Sequence, residues 1–376
     1  MTEQQKTFTN GSHKIMPINN NSNNNFTLQK ESNFQLMKSE NGNLANFSFF
    51  SKEDKVSFYF YTVQQVQMWL SGEIPYSKDI SSFNNLNPRL KRLIEEILGF
   101  FAPADGLVNA SILRQLTNSK SSMELAFLFF QAANECVHQE VYGRFIKMFA
   151  KDVENEKRIF NMVNDVPCVR RKANFIKKYI DADIAPCLFN LAQACAEGIF
   201  FVSLFAIIFI FRRLGGMEAF IFANEQIQKD ETTHRDYYCA KAEENGIKNY
   251  FKEALQIIEE AVDVEIEFIK YLLRDPIQEV DIDEIMGLTV ENLSDYARLL
   301  ADQILVFCGL EIRYNVSPKL SWMEDLGLQK KNNFYERKVG NYKKASFEDQ
   351  FNWKKSIGME DESAANGVED PTEVEF

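Results

Sequence analysis

From residue 86 to residue 310 the chain carries long apolar patterns of helical period, with few Gly or Pro to break them. No stretch alternates apolar and polar residues as a half-buried strand does. A helix with an apolar stripe must bury it against another helix, so the pattern predicts an all-α bundle. The spacing predicts helices near 87–115, 122–151, 153–165, 185–213, 217–243, 248–274 and 283–309. Residues 1–33 are polar and Asn-rich, with a near-continuous Asn run from Asn19 to Asn25. Such a segment cannot bury enough apolar surface to offset its ordering entropy and is expected to be a disordered arm. Residues 34–345 are expected to form one helical domain and residues 346–376 a flexible acidic tail. Beyond Ile357 that tail holds no Lys or Arg, and it ends in Phe376.

Several function classes are disfavoured by composition. A net charge of -12 argues against nucleic acid as a main partner, because phosphate binding needs clustered Lys and Arg. The six cysteines are scattered without a C-x-x-C pair, which fits neither a disulfide framework nor a zinc site and points to a reducing compartment. No basic start followed by an apolar run opens the sequence, so no signal peptide is expected. The most membrane-like stretch, Gly198 to Phe211, is short for a span and is expected to be a buried core helix. A cytoplasmic protein with no membrane partner is the resulting expectation.

Histidine is scarce, and its placement is informative. Of three histidines, His13 lies in the Asn-rich arm, and each of the others follows a glutamate by three positions: Glu135 and His138, Glu231 and His234. On a helix those two side chains project from one side and can serve one metal ion together. Glu197 sits among small and apolar neighbours in LAQACAEGIFFVSLF, and Asp105 sits in equally apolar company in GFFAPADGLVN. A buried carboxylate without a partner is expensive, so each should be paired or ligated. Two Glu-x-x-His helices plus two helices that each give one acid form the ligand set of ferritin-like dinuclear bundles, here with Asp105 in place of one Glu. Carboxylate oxygens with one imidazole per ion suit iron or manganese better than zinc.

Tyr142 lies four positions after His138 and seven after Glu135, on the same side of the helix. Phe201 and Phe205 follow Glu197, and Ile227 precedes Glu231, all at helical spacing. A tyrosine walled by such residues beside an oxidising metal pair suits a protected phenoxyl radical. An ordinary core tyrosine is the plainer alternative.

Seven segments resemble one family: YSKDI from Tyr76, GFFAPADGLVN from Gly99, NECVHQEVY from Asn134, VPCVRRKA from Val166, AEGIFF from Ala196, NEQIQKDETTH from Asn224 and NNFYERKVGNY from Asn332. The chain resembles the small, radical-generating subunit of class I ribonucleotide reductases of the eukaryotic type, from about Trp69 to Tyr342. The resemblance implies a ferritin-like bundle with additional helices that holds two iron ions, with manganese as the alternative metal. Asp105, Glu135 and His138 would ligate one ion, Glu197, Glu231 and His234 the other, with bridging carboxylates. Tyr142 would carry the radical, with Phe201, Phe205 and Ile227 as its pocket and Asp230 as the acid that fixes a ligating histidine. The acidic tail ending in Phe376 would dock the large subunit, with Tyr342 in the same role, and the chain would pair with itself or with another small subunit. One departure stands out. The family places a tryptophan upstream of Trp69, on the route out from the metal site, and residues 1–68 contain none. An ungapped alignment puts Phe58 there, flanked by Tyr59 and Tyr61, which raises the alternative of a helper paralogue that works only in a heterodimer.

Overall fold

The computed structural model describes residues 54–119, 121–275, 288–317 and 320. Among them every regular element is a helix. Four segments build the centre. Helix α3 (Pro88–Asn118) packs along α4 (Ser122–Phe149), and α7 (Pro186–Cys195) packs along α10 (Glu218–Glu244). The starts of α3 and α4 follow from their sequences. Asn87 accepts from Leu90 N at 2.9 Å ahead of Pro88, and Ser121 accepts from Glu124 N at 3.2 Å, so each side chain satisfies an otherwise orphaned N–H.

Around this centre, α1 (Lys55–Gln67) lies against α4 and α10, and α2 (Asp79–Asn85) also touches both. Helices α5 (Val153–Asp165) and α6 (Pro167–Asp181) pack on α3, while α11 (Phe251–Leu272) and α12 (Val290–Phe307) cover α7. The sequence-based helices at 87–115, 122–151, 153–165, 217–243 and 248–274 match within a few residues. Helices α1, α2 and α6 are additional to those the spacing predicts. The segment expected as one helix over 185–213 is α7, a π-helical turn (Ala196–Phe201), α8 (Val202–Ile208) and α9 (Phe211–Leu214). Its most hydrophobic stretch is wholly buried inside the protein, as a core helix should be.

Two long-range contacts fix the centre. The backbone reverses between α9 and α10 through Gly215, Gly216 and Met217, all at positive φ. The new helix is then capped from α2: Asp79 accepts from Ala219 N at 3.0 Å and Phe220 N at 2.7 Å. Carboxylate charge at a helix N-terminus is favourable for the dipole as well as for the free N–H groups. From α6, fully buried Lys172 reaches Glu265 of α11 at 2.7 Å and donates to Phe200 O at 3.0 Å. Phe100 and Phe268 lie around the ammonium, and burial pulls it down to about 8 despite Glu265. The expected arm at 1–33 and tail at 346–376 lie outside the described residues.

Candidate metal centre

The six acids and imidazoles singled out from the sequence meet at one place in the bundle. Asp105 comes from α3, Glu135 and His138 from α4, Glu197 from the π-helical turn, and Glu231 and His234 from α10. None has measurable exposure. Their donor atoms fall into two groups, each within 4.8 Å: Asp105, Glu135, His138 and Glu231, then Glu135, Glu197, Glu231 and His234. Glu135 and Glu231 belong to both. Glu135 sets Oε2 3.2 Å from His138 Nδ1 and Oε1 3.1 Å from His234 Nδ1. Glu231 sets Oε1 3.2 Å from His138 Nδ1 and Oε2 3.6 Å from His234 Nδ1. Each of these two carboxylates therefore spans the pair of imidazoles, the geometry of a bridge. The π-helical turn carries Glu197 into the group; such single turns widen a helix where a side chain must be re-aimed.

A cation fits this set. Both oxygens of Asp105, Glu135 and Glu231, Oε2 of Glu197 and Nδ1 of both imidazoles are buried without a hydrogen-bond partner. Buried polar atoms are rarely left so, and seven carboxylate oxygens with two imidazole nitrogens are a donor set that suits a pair of iron or manganese ions. Without a cation the charges are balanced by protons. Burial, then the neighbouring acids, push Asp105 and Glu197 well above the usual carboxylate range. Burial opposes the imidazolium forms, but Asp230, Glu135 and Glu231 hold His138 well up, and Glu135 and Glu231 hold His234 up to about 9. Glu231 is held low, because the His138 and His234 imidazoles close beside it outweigh its burial.

Tyr142 stands beside this cluster, fully buried. Its hydroxyl donates to Asn224 Oδ1 at 3.3 Å, and Asn224 donates in turn to Phe220 O at 2.8 Å. Phe101 stacks on the phenol at 4.7 Å and touches both Phe201 and Phe205. Ile227 is fully buried on α10. The ring that meets the phenol is Phe101, which was not among the expected wall residues; Phe201 and Phe205 pack on Phe101 in turn. Burial and then the nearby Asp105, Glu231 and Glu135 charges push the phenol well above its ordinary value, so it keeps its proton.

Known proteins are similar to this chain in sequence and in fold. The family described as ribonucleotide reductase, small chain, matches residues 46–321. A ribonucleoside-diphosphate reductase small chain from Arabidopsis thaliana is 32% identical over 317 residues, covering 90% of the relative and 84% of this chain. The ribonucleoside-diphosphate reductase small chain of Variola virus is 32% identical over 285 residues, 87% of the relative and 76% of this chain. A ribonucleotide reductase homodimer from Saccharomyces cerevisiae superposes with a TM-score of 0.62 at 25% identity, over 87% of its own length and 73% of this chain. This chain belongs to the ribonucleotide reductase small-chain family. Its fold is that family's ferritin-like bundle, and its class of activity is oxidoreductase.

For a ribonucleotide reductase small chain, one expectation needs correcting. The tryptophan thought to be replaced by Phe58 is present as Trp69. Its indole Nε1 donates to Asp230 Oδ2 at 2.7 Å, and the same oxygen lies 3.1 Å from His138 Nε2. The indole stacks parallel to the His138 ring at 6.1 Å between centroids. Phe58 lies on α1 and is 38% exposed, whereas Trp69 is 6% exposed. Sequence reasoning also passed over Asn224, Phe101 and Gln131, whose Nε2 donates to Glu197 Oε1 at 3.0 Å. Gln131 stands one turn before Glu135 on the ligand face of α4, and that offset was the available signal. Tyr342 and Phe376 lie outside the described residues.

Proposed function

We propose that this small chain holds two ions of iron, or of manganese, and stores an oxidising equivalent as a radical on Tyr142 for a separate large subunit. The observation that carries the reading is the meeting of six ligating side chains, a dry tyrosine and an indole-to-ligand path in one buried site. A bound metal pair supplies, with dioxygen, the one-electron oxidant. The protein's part is geometric and electrostatic. Asp105, Glu135, His138 and Glu231 would hold one ion, and Glu135, Glu197, Glu231 and His234 the other. Asp230 takes the outer nitrogen of His138, which fixes the ring and its tautomer. Phe101, Phe201 and Phe205 keep water and reductants from Tyr142, and Asn224 holds its hydroxyl proton in one direction. Trp69, Asp230 and His138 form a continuous hydrogen-bonded path from one ion's ligand to the segment after α1.

Small chains of this family work with a large subunit and as dimers. For this chain we place large-subunit docking in the acidic tail, with Phe376 as the anchor and Tyr342 on the same route. We take the assembly to be a homodimer and the setting to be cytoplasmic. A helper role in a heterodimer was motivated by a missing tryptophan, and Trp69 removes that motive. The test is reconstitution of the full chain with ferrous iron and oxygen, followed by metal analysis and electron paramagnetic resonance. About two ions per chain and a tyrosyl signal are expected from the ligand set. A well-folded protein that takes up no metal would refute the reading.

A further inference from the structure

Glu197 differs from Glu135 and Glu231 in having one oxygen already engaged, by a series of three hydrogen bonds that starts at Gln115. Gln115 Nε2 donates to the Tyr238 hydroxyl at 3.0 Å, Tyr238 donates to Gln131 Oε1 at 2.9 Å, and Gln131 Nε2 donates to Glu197 Oε1 at 3.0 Å. Tyr238 is fully buried on α10, one turn past His234. A primary amide can present either its oxygen or its NH2 to a neighbour. In the structure the order along the series is consistent. The phenol oxygen accepts from Gln115, so its proton goes to Gln131 Oε1, and the amide NH2 is left to face Glu197. Glu197 Oε1 is then occupied and Oε2, which has no partner, is the free donor. Glu135 and Glu231 keep both oxygens free.

We propose that Tyr238 is a positioning residue that, through Gln131, restricts Glu197 to one-oxygen ligation of the ion on the His234 side. Removing the hydroxyl releases the amide to turn its oxygen toward the carboxylate, which repels it, or frees Glu197 to use both oxygens. Either change alters the ion beside His234 and leaves the ion beside His138 alone. The inference rests on the metal reading given above.

The test is titration of the metal-free full chain with Mn2+, following free Mn2+ by electron paramagnetic resonance. The proteins are wild type, Tyr238→Phe, Gln131→Leu, the double variant and Gln115→Leu. Wild type should take two ions. Tyr238→Phe should weaken one of them by about 10-fold or more, as loss of a supporting hydrogen bond to a metal ligand does, with the other unchanged. Gln131→Leu should weaken the same ion, and adding Tyr238→Phe to it should do nothing further, because the phenol acts only through the amide. Two equally tight ions in Tyr238→Phe, or additive losses in the double variant, would overturn the proposal while leaving the metal reading intact. Wild type that takes up no Mn2+ would overturn both. Should Tyr238→Phe fold poorly, Gln115→Leu at the partly buried end of the series answers the same question: weakening of one ion supports the proposal, and no change in either sinks it.

Discussion

On α4, Tyr142 follows His138 by four residues; on α10, Tyr238 follows His234 by the same interval, so Glu-x-x-His-x-x-x-Tyr occurs twice. Each tyrosine is fully buried, and each gives its proton to an amide on the opposite helix: Tyr142 to Asn224, Tyr238 to Gln131. The two halves diverge beyond that point. Asn224 spends its NH2 on a backbone carbonyl of its own helix, so Tyr142 is not tied to a ligand. Gln131 spends its NH2 on Glu197, so Tyr238 is. The imidazoles differ in the opposite sense. His138 has its outer nitrogen on Asp230 and, through it, Trp69. His234 Nε2 is buried with no partner among the described residues, and the Phe127 ring stands perpendicular to the imidazole with 6.4 Å between centroids. One half therefore has an insulated tyrosine and a way out; the other has a coupled tyrosine and none. A pattern that occurs twice in the sequence is set in two different surroundings by the partners beyond it.

The largest expected effect concerns which tyrosine carries the radical. In Tyr142→Phe the tyrosyl signal should vanish after oxygenation while two metal ions remain. In Tyr238→Phe, tested at saturating metal, the signal should persist with its line shape unchanged. A signal that survives Tyr142→Phe and disappears in Tyr238→Phe would reverse the assignment of the two halves.

Next in size is the way out. Trp69→Phe should keep metal and radical, yet turnover with the large subunit should fall to background, because phenylalanine has neither the indole N–H that bonds Asp230 nor an easily oxidised ring. The corresponding aromatic on the other half is Tyr237, stacked on Phe127 at 3.6 Å. Tyr237→Phe should leave turnover near wild type. Equal losses in the two variants, read in the same turnover assay, would mean that both halves conduct.

How much of this was legible in the sequence depended on whether the signal was local. Glu135, His138, Tyr142, Glu231 and His234 stood out because spacing within α4 and within α10 places them on one face of each helix, and Asp105 and Glu197 because each is an acid among apolar neighbours. Helix α6 was missed because its inward stripe of Val169, Lys172, Phe175 and Ile176 has a charge at its centre. Lys172 is inward only because Glu265, some ninety residues on, supplies its partner. Asp79 at the start of α10 and Trp69 on Asp230 are long-range contacts of the same kind, which periodicity cannot report. Tyr238 is the instructive omission. Its offset from His234 was visible, but nothing local distinguished it from a core tyrosine until Gln131 and Gln115 were seen on either side.

A smaller, graded effect should appear with pH. His234 in the metal-free protein is held up to about 9, above the ordinary imidazole value of 6.5. The folded state thus binds that proton more tightly than the unfolded chain does. Its contribution to stability is full below 6.5 and is lost as pH rises through about 9. The melting temperature of the metal-free protein should fall over that window. A metal ion must displace the same proton, so Mn2+ affinity on the His234 side should rise about tenfold per pH unit for each proton displaced, levelling near pH 9. His138 is raised as well, with Asp230 first among the groups that hold it. Asp230→Asn should therefore flatten the profile of the ion beside His138 and leave that of the ion beside His234. Flattening of both profiles would show that the two halves titrate as one unit.

The smallest expected effect is at Phe58, Tyr59 and Tyr61, the residues that would have mattered most had the path run through α1. Phe58 is 38% exposed on that helix, and the Tyr61 hydroxyl accepts from Gln65 Nε2, one turn along the same helix. The groups hydrogen-bonded to Asp230 Oδ2 are Trp69 and His138, so the α1 aromatics have no share in that contact. Substitutions at such positions usually change stability by about 0.5 kcal/mol or less. Phe58→Leu, Tyr59→Phe and Tyr61→Phe should each keep the radical, and turnover with the large subunit should stay within a factor of about two of wild type, the change that such a stability difference would produce. Turnover lost in Tyr59→Phe or Tyr61→Phe while Trp69→Phe remained active would move the path onto α1. It would also leave the Trp69 to Asp230 bond with only an orienting role for His138, and the two halves of the site would then differ in anchoring alone.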